Sequence, residues 1–335
     1  MRRLSADDPL ARALRRYLDP ALARGDVLLA VSGGPDSTAL MHVAAAFSPR
    51  VGLSVATVDH GLRPESREEA EGVAAAASRL GLPHHLLEWR GPKPASRVQA
   101  EARDARYCLL AQCAQEIGAV VVLTGHTQDD QAETVLMRLI AGSGPGGLAG
   151  MRGERPLRPG IDLARPFLAT PKAALVAYCE AHGLLALQDP SNADDRFARV
   201  RLRGLMPLLA HEGLSVERLC RVALRAARDD AALTEVARSA LAAARRSSEA
   251  GLILDGSSLR GLPEAILLRV VDAAIMEAGG TGPLRLERLE RLVLDDLLPA
   301  LRARTPLRRT LRGILIEVTP VGRLSFRLAP PRRAG

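Results

Sequence analysis

The chain has 335 residues, a length that favours two domains over a single hydrophobic core. Its aromatic content is only 2%, so its cores must be built mainly from leucine, valine and alanine. The formal net charge is +8 at pH 7, which makes a nucleic acid a partner to consider. No apolar run approaches the roughly 18 residues that a membrane-spanning helix needs, and the charged N-terminal residues lack the apolar region of a secretory signal. We expect a globular, cytoplasmic protein that does not bind a membrane.

The first 210 residues alternate short apolar runs with helical patterns. Strands are predicted at residues 27–31, 53–58 and 119–123, with a weaker one at 84–88. Helices are predicted between and after them, at residues 37–46, 66–80, 98–117 and 129–140. This alternation is typical of an α/β fold with a doubly wound parallel sheet, whose strands are joined by right-handed crossovers.

The pattern becomes mostly helical in the later part of the chain. A glycine-rich loop at residues 142–147 and a helix at 171–182 precede a second loop at 189–195. Further helices are predicted at residues 217–246, 262–277 and 284–298, followed by a β-hairpin of strands 313–318 and 322–328. We therefore predict two domains, residues 1–212 and a smaller, mostly helical domain at 213–335 that ends in the hairpin.

The positive charge is concentrated at the C-terminal end. Residues 1–300 carry equal numbers of basic and acidic side chains, whereas residues 301–335 contain nine arginines and one acid. We call these arginines the C-terminal arginine set: Arg302, Arg304, Arg308, Arg309, Arg312, Arg323, Arg327, Arg332 and Arg333. Such a concentration is an electrostatic signature of a polyanion partner. A solvated basic tail without a specific function is the alternative.

The four cysteines do not predict a metal site, because Cys108, Cys113, Cys179 and Cys220 contain no C-x-x-C pair. Cys108 lies in an apolar helical segment, where a buried free thiol is expected.

A glycine turn connects the first predicted strand to the first predicted helix. Its sequence is Ser32-Gly33-Gly34-Pro35-Asp36-Ser37. The two glycines let backbone N–H groups approach an anion without a Cβ in the way, and the helix adds free N–H groups and its positive dipole end. The hydroxyls of Ser32 and Ser37 can donate hydrogen bonds, and Asp36 can hold Mg²⁺ beside phosphates. The lysine of the Walker motif is missing, so the turn predicts a different kind of nucleotide site, one that grips the pyrophosphate of ATP.

This turn resembles that of the PP-loop ATP pyrophosphatases, which cleave ATP between the α- and β-phosphates to adenylate an oxygen. Within that group, three segments resemble the tRNA(Ile)-lysidine synthetase family: VDHGLRPES at residues 58–66, ARDARY at 102–107 and LTGHTQDDQAET at 123–134. The glycine loop at 142–147 and Asp189-Pro190-Ser191-Asn192 extend the resemblance over residues 25–210. The family often has two histidines where this chain has His126-Thr127, so we expect no role for a second histidine.

The resemblance implies an enzyme that uses ATP and Mg²⁺ to modify RNA. Family members adenylate the C2 oxygen of the wobble cytidine, position 34, in the isoleucine tRNA with a CAU anticodon. The ε-amine of free L-lysine then attacks C2 and expels AMP, which leaves lysidine. Residues 1–212 would then be the ATP-binding catalytic domain, and residues 213–335 a helical linker with a basic tRNA-binding domain. A homodimer is an assembly that the sequence leaves open.

Acidic residues at the start of the predicted helix 129–140 are candidates to hold a cation. Asp130 and Glu133 are three residues apart and so share one helix face. Open parallel sheets bind ligands beyond the carboxyl ends of their strands, where this helix begins. We therefore expect Asp130 and Glu133 to contact the ammonium group of lysine, with Asp36 and Asp130 as candidate metal ligands. Favourable interaction with the helix dipole is the alternative, and it alone would explain Asp129.

Arg106 and His126 are further catalytic candidates. Arg106 is expected to contact the α-phosphate or the charge of the transition state, with Arg103, within one helical turn, as its rival. Surface ion pairing is the alternative for both arginines. His126 follows the strand at 119–123 and is expected to contact ATP or the cytidine, unless it is a structural histidine.

Side chains after the second strand complete the candidate site. Thr57 and Asp59 are expected near the adenine and the ribose, while the role of His60 is open. Tyr107 and Tyr178 are expected in the core. Two other functions are considered: another PP-loop enzyme, such as a tRNA thiolase or an amidating synthetase, and a nucleotide-binding RNA chaperone. A thiolase is expected to have paired cysteines, and the sequence shows none. An amidating synthetase is expected to have an ammonia-supplying domain, and none is recognised in the sequence. A chaperone function would leave the acidic residues unexplained.

Overall fold

The computed structural model describes residues 8–21, 23–48, 50–61, 66–91, 93, 98–187, 198–247 and 251–330. Contacts between elements divide the chain into two units, the first comprising Met1–Ile140 and Gly150–Val222, the second Ala141–Ala149 and Ala223–Gly335. This division falls inside a long helix that begins shortly after the predicted boundary at residue 212. Among the described residues, no helix combines the length and apolar character needed to cross a lipid bilayer.

The elements follow each other in a regular order. The strands are β1 (Asp26–Ala30), β2 (Leu53–Asp59), β3 (His84–Glu88), β4 (Ala119–Thr124), β5 (Glu154–Arg158), β6 (Ile161–Ala164), β7 (Arg245–Arg246), β8 (Leu252–Asp255), β9 (Leu307–Leu311), β10 (Ile314–Val318) and β11 (Arg323–Leu328). The helices are α1 (Pro9–Ala21), α2 (Pro35–Ala45), α3 (Ser66–Arg79), α4 (Val98–Glu116), α5 (Gln128–Ile140), α6 (Pro145–Leu148), α7 (Lys172–Ala181), α8 (Ala198–His211), α9 (Val216–Ala244), α10 (Gly256–Leu259), α11 (Glu264–Glu277), α12 (Leu286–Glu290) and α13 (Leu298–Ala303), with a π-helical stretch, Arg291–Leu297, between the last two.

The first unit contains a six-stranded sheet in the order β3-β2-β1-β4-β6-β5. All neighbours are parallel except the edge strand β5, which pairs antiparallel with β6. Strand residues alternate between two cores: Val27 and Leu29 of β1 pack on the side of α1, α2 and α7, whereas Leu28 packs on the side of α4. The predicted parallel α/β sheet, covered on both faces, is confirmed.

The strand order reverses between β1 and β4, which are parallel neighbours in the sheet but far apart in sequence. In open α/β sheets a ligand crevice forms at this switch point, beyond the carboxyl ends of the two strands. The glycine turn follows β1 and the segment Gly125-His126-Thr127 follows β4. The fold therefore brings the two most informative sequence segments to one edge of the sheet.

The second unit contains a five-stranded antiparallel sheet in the order β7-β8-β11-β10-β9. The predicted hairpin is confirmed as β10 and β11, paired from Val318 with Leu324 to Ile314 with Leu328. Its apolar face packs with α11 and the π-helical stretch in one core that includes Val271, Val293 and Phe326. The hairpin is thus the centre of a larger sheet, because β8 and β9 flank it.

The structure corrects one expectation about the cysteines. Cys108 is exposed on α4, and the buried thiols are Cys113 and Cys179. The helical pattern identified the helix, but Cys108 lies on its solvent side. Tyr107 and Tyr178 are 9% and 8% exposed, so their expected place in the core is confirmed.

Candidate functional site

The glycine turn between β1 and α2 leaves the first N–H groups of the helix without a side-chain cap. Gly33 has a positive φ of +87°, which disfavours any residue with a Cβ, and Gly34 is extended at the N-cap position. Apart from Gly34 and its two chain neighbours, no atom of the described residues lies within 4 Å of the position that a Cβ on Gly34 would take. Open space next to uncapped N–H groups and the positive end of a helix dipole suits an anion.

Hydroxyl groups hold the turn in this shape. Ser37 Oγ donates to the carbonyl of Gly34 at 3.0 Å and accepts from the Ser32 N–H at 3.2 Å, and the two serine hydroxyls are 3.3 Å apart. Thr38 Oγ1 donates to the carbonyl of Gly33 at 3.1 Å. Ser32 and Ser37 therefore lie together, as predicted, and both hydroxyls are engaged within the turn.

The segment after β4 packs directly on the start of α2. A Cβ on Gly125 would lie 2.9 Å from the carbonyl carbon and oxygen of Asp36 and 3.0 Å from the nitrogen of Ser37. Only glycine allows this approach, which explains the glycine in the GHTQDD segment. The contact brings the N-termini of α2 and α5 together.

The start of α5 is capped by its own side chains. Thr127 is fully buried, and its N–H and hydroxyl both donate to Asp130 Oδ2, at 2.8 and 3.0 Å. This is a capping arrangement: Asp130, three residues after the N-cap residue Thr127, accepts the hydrogen bonds that Thr127 donates. Where the family often has a second histidine, Thr127 thus has a structural role. Asp130 uses one oxygen for the cap and retains the other, 3.9 Å from an Arg203 nitrogen.

Asp36 lies at the centre of the site. Lys172 Nζ donates to its Oδ2 at 2.8 Å, while its Oδ1 is buried and has no hydrogen-bond partner among the described residues. Burial raises the pKa of Asp36, Lys172 lowers it, and the charges of Asp130 and Asp129 raise it again. A buried carboxylate oxygen without a partner, beside a second carboxylate, fits a cation, so the residues suit Mg²⁺ with phosphates and water as its other ligands.

Glu133 and Asp129 have protein partners of their own. Glu133 is 4% exposed and forms a two-pronged ion pair with Arg203 of α8, from Nε to Oε1 and from an Nη to Oε2 at 3.3 Å. Burial raises the pKa of Glu133, and Arg203 lowers it. Asp129 Oδ2 accepts from the backbone N–H of Lys172 at 2.7 Å and so joins α5 to α7.

Lys172 and Arg203 were not among the residues expected from the sequence. Lys172 is one of only two lysines in the chain, against 44 arginines, and that rarity is the signal that could have identified it. Arg203 lies in an arginine-rich helix without a distinguishing pattern. Lys172 pairs with Asp36, and Arg203 pairs with Glu133 and lies near Asp130. Asp129 joins them through the backbone N–H of Lys172, so the group comprises Asp36, Asp129, Asp130, Glu133, Lys172 and Arg203. We call these six residues the acid cluster.

His126 is neutral in this environment. Burial lowers its pKa to about 3, and Arg106, Arg165 and Arg103 act in the same direction, against the opposing effect of Asp130. Its Nδ1 is 2.9 Å from the Thr124 hydroxyl, which also lies 3.4 Å from the carbonyl of Ala164. If the hydroxyl donates to that carbonyl, Nδ1–H is the donor to Thr124, and Nε2 is left as an acceptor.

Arg106 lies close to His126 and stacks on Tyr107, with 5.1 Å between its Cζ and the ring centroid. Arg103 stacks on the same ring at 5.2 Å. Burial lowers the pKa of Arg106, and its Nε has no hydrogen-bond partner among the described residues. Neither arginine forms an ion pair with a described carboxylate, so both remain candidates for a phosphate.

Thr57 and Asp59 lie at the carboxyl end of β2, the neighbour of β1. Thr57 is 5% exposed and its hydroxyl is 2.9 Å from His84 Nε2. Asp59 Oδ1 accepts from Gly61 N–H at 2.8 Å and from the Ser66 hydroxyl at 2.6 Å, an arrangement that fixes the start of α3. Their expected contacts with adenine and ribose stay a prediction.

The C-terminal arginine set is partly neutralised. Arg308 and Arg327 pair with Glu317, Arg309 with Asp296, and Arg312 with Asp272. The described members that are exposed and form no such pair are Arg302, Arg304 and Arg323. Arg332, Arg333 and the Asp189-Pro190-Ser191-Asn192 segment lie outside the described residues.

Comparison with known proteins identifies the class and then the family. The PP-loop domain family matches residues 7–209. Two curated relatives, each called tRNA(Ile)-lysidine synthase, match almost end to end. The one from Methylobacterium sp. (strain 4-46) is 57% identical over 97% of this chain and 95% of its own length, and the one from Methylobacterium nodulans is 55% identical over 98% and 97%. The chain belongs to the tRNA(Ile)-lysidine synthase family of PP-loop proteins.

A solved structure supports the fold alone. The U34-tRNA thiolase NcsA from Methanococcus maripaludis covers 64% of this chain, and the match spans 77% of that protein, with a TM-score of 0.55 and 18% identity. The PP-loop architecture is therefore shared by enzymes of different chemistry, and the chemistry of this chain must be argued from its own residues.

Proposed function

We propose that this protein joins free L-lysine to C2 of the wobble cytidine, position 34, of the isoleucine tRNA with a CAU anticodon. ATP is consumed, and lysidine, AMP and pyrophosphate are formed. One observation carries the proposal: an uncapped helix N-terminus suited to phosphates lies next to an acid cluster suited to an ammonium group. The name of the curated relatives agrees with it.

The reaction has two steps. The C2 oxygen of cytidine attacks the α-phosphorus of ATP, and the bond from that phosphorus to the bridging oxygen breaks as pyrophosphate leaves. The neutral lysine amine then attacks C2, its proton passes to a neighbouring carboxylate or to water, and AMP leaves with the C2–O bond electrons. In the first step the N–H groups of α2 hold the phosphates, and Arg106 or Arg103 offsets the charge that develops at the α-phosphate.

Asp130 and Glu133 hold the lysine in the second step. A carboxylate has about four lone-pair positions, so each can accept from an ammonium group while it keeps its cap or its pair with Arg203. Neutral His126 presents Nε2 to ATP or to the cytidine. Mg²⁺, held by Asp36 and Asp130 beside the phosphates, would screen the charge of the leaving pyrophosphate.

Lys172 supplies the positive charge that the glycine turn itself lacks. The Walker lysine belongs to the phosphate loop, whereas Lys172 reaches Asp36 from the first residue of α7. We propose that it moves its charge between Asp36 and the phosphates of bound ATP. A homodimer also stays a proposal, which the mass of the protein in solution tests.

The test is lysine incorporation by the full-length protein. Labelled lysine, ATP and a transcript of the isoleucine tRNA are expected to give labelled tRNA and an equal amount of AMP. Asp36→Ala should abolish AMP formation, whereas Asp162→Ala, which removes an acid paired with Arg24 at 3.6 Å elsewhere in the same unit, should not. Full turnover by Asp36→Ala would contradict the role of Asp36 in the site.

A further inference from the structure

Four arginines surround one buried tyrosine next to the candidate site. Arg103 and Arg106 of α4 and Arg155 of β5 each stack on Tyr107, with their Cζ atoms 5.2, 5.1 and 5.1 Å from the ring centroid. Arg165 follows β6 and is only 3% exposed. We call Arg103, Arg106, Arg155 and Arg165 the Tyr107 arginine cluster.

The cluster lacks the anions that normally accompany buried positive charge. None of its four guanidinium groups forms an ion pair with a carboxylate of the described part of the chain, and the Nε atoms of Arg106 and Arg165 are buried without hydrogen-bond partners there. Burial lowers the pKa of Arg165, and the charges of Arg155 and Arg103 lower it further. Repulsion among uncompensated charges is costly, and an anion among them would relieve it.

The position of the cluster relates it to the reaction centre. The pKa of His126, which follows β4, is lowered by the positive charges of Arg103, Arg106 and Arg165. Arg155 lies on the edge strand β5, opposite Leu163 of β6. Strands lie about 5 Å apart, so β5 is roughly 10 Å from β4. The positive charge therefore extends from the reacting groups outward to an open sheet edge. ATP needs charge only at the centre, whereas a polynucleotide carries a charge on every nucleotide.

We infer that Arg103, Arg155 and Arg165 bind a backbone phosphate of the RNA substrate, next to the nucleotide that reacts. This inference rests on the proposed function, because it assumes an RNA whose target base lies near His126. Arg106 remains the candidate for the α-phosphate. Guanidinium groups bind phosphate oxygens through paired N–H donors. The ring of Tyr107 holds Arg103 and Arg155 in position, and Arg165 is held by its hydrogen bond to the Arg152 carbonyl at 2.6 Å.

The test compares matched variants of the full-length protein. Arg103→Gln and Arg155→Gln are expected to weaken binding of the tRNA transcript about tenfold and to reduce the slope of log affinity against log salt by about one each. Arg158→Gln removes the same charge from β5 outside the cluster, where Arg158 donates hydrogen bonds to Gln115 and Cys108, and should leave both quantities unchanged. Arg155→Lys keeps the charge and should retain most of the salt slope.

The outcomes separate the inference from its alternatives. The inference is overturned if Arg103→Gln and Arg155→Gln bind tRNA with the same affinity and salt slope as Arg158→Gln. It is also overturned if these variants raise the KM for ATP and leave tRNA binding unchanged, because the phosphate would then belong to ATP. A wild-type protein that binds tRNA but incorporates no lysine would refute the proposed function alone, because the salt slopes would still test the cluster. A wild-type protein that does not bind tRNA would overturn both.

Discussion

The pair of Glu133 and Arg203 offers a measurable test of how the acid cluster is built. The side chain of Glu133 is 5% exposed and that of Arg203 is 37% exposed. Removing one partner of a fully buried pair costs roughly 3–5 kcal/mol, and an exposed pair contributes roughly 0.2–1 kcal/mol. For this half-buried pair we expect Arg203→Met to destabilise the protein by about 2 kcal/mol, close to a 30-fold change in the unfolding equilibrium.

The assay can follow the first unit specifically. The chain has a single tryptophan, Trp89, and it lies in that unit, so its fluorescence during urea unfolding reports the stability of the sheet that carries the site. Glu133→Gln, Arg203→Met and the double variant form a double-mutant cycle with an expected coupling of about 1.5 kcal/mol. Glu71→Gln, which breaks the exposed pair with Arg67, is the control and should leave stability unchanged within the error of the measurement. Additive effects in the cycle would refute the ion pair.

The same variants separate a structural role from lysine binding. If Glu133 also holds the ammonium group, Glu133→Gln should raise the KM for lysine at least tenfold more than the KM for ATP. Equal changes in both constants would leave Glu133 with the structural role only.

Three further predictions concern other parts of the molecule. Gly125→Ala should reduce AMP formation strongly, because the new Cβ would meet the α2 backbone at 2.9 Å, and activity like wild type would contradict that packing. The low pKa of His126 favours its neutral form in the fold, so the stability it contributes is complete above pH 6.5 and is lost as the pH falls. Urea unfolding at pH 5 should show a loss of about 2 kcal/mol that His126→Gln removes. Replacing Arg302, Arg304 and Arg323 with glutamine should flatten the salt dependence of tRNA binding; an unchanged slope would indicate a solvated basic tail.

The sequence predicts the parts of the fold whose patterns are local. Apolar strands followed by helices identified the parallel sheet, and two strand segments around a turn identified the hairpin of β10 and β11. It missed β5 and β6, because their nine residues include a proline and four charged side chains without an apolar run. Pairing with β4 stabilises β6, and β6 in turn holds β5, so both depend on contacts distant in sequence.

The candidate site shows the same limit at the level of single residues. The segments after β1 and β4 could be identified from their glycines and acids, and the fold brings them together. The rarity of lysine could have singled out Lys172, but its pairing with Asp36 could not be predicted, nor could the pairing of Arg203 with Glu133. Lys172 and Arg203 come from α7 and α8, and no local pattern links them to those acids. The buried cap of Thr127 is a local pattern, a threonine three residues before an acid at the start of a helix, and the sequence therefore contains enough information to predict it.

The two helices at the switch point explain how one crevice can handle opposite charges. Both α2 and α5 begin beyond adjacent parallel strands, so their dipoles alone would make both N-termini attractive to anions. At α2 the N-cap is Gly34, which leaves the N–H groups free, whereas at α5 Thr127 and Asp130 satisfy the first turn and Asp129 adds a further negative charge. The difference in capping thus leaves one of two similar helix ends suited to an anion and makes the other suited to a cation. In the proposed reaction, the close approach of Gly125 to Asp36 would set the distance between a bound phosphate and a bound ammonium group, which the attack of an amine on adenylated RNA requires.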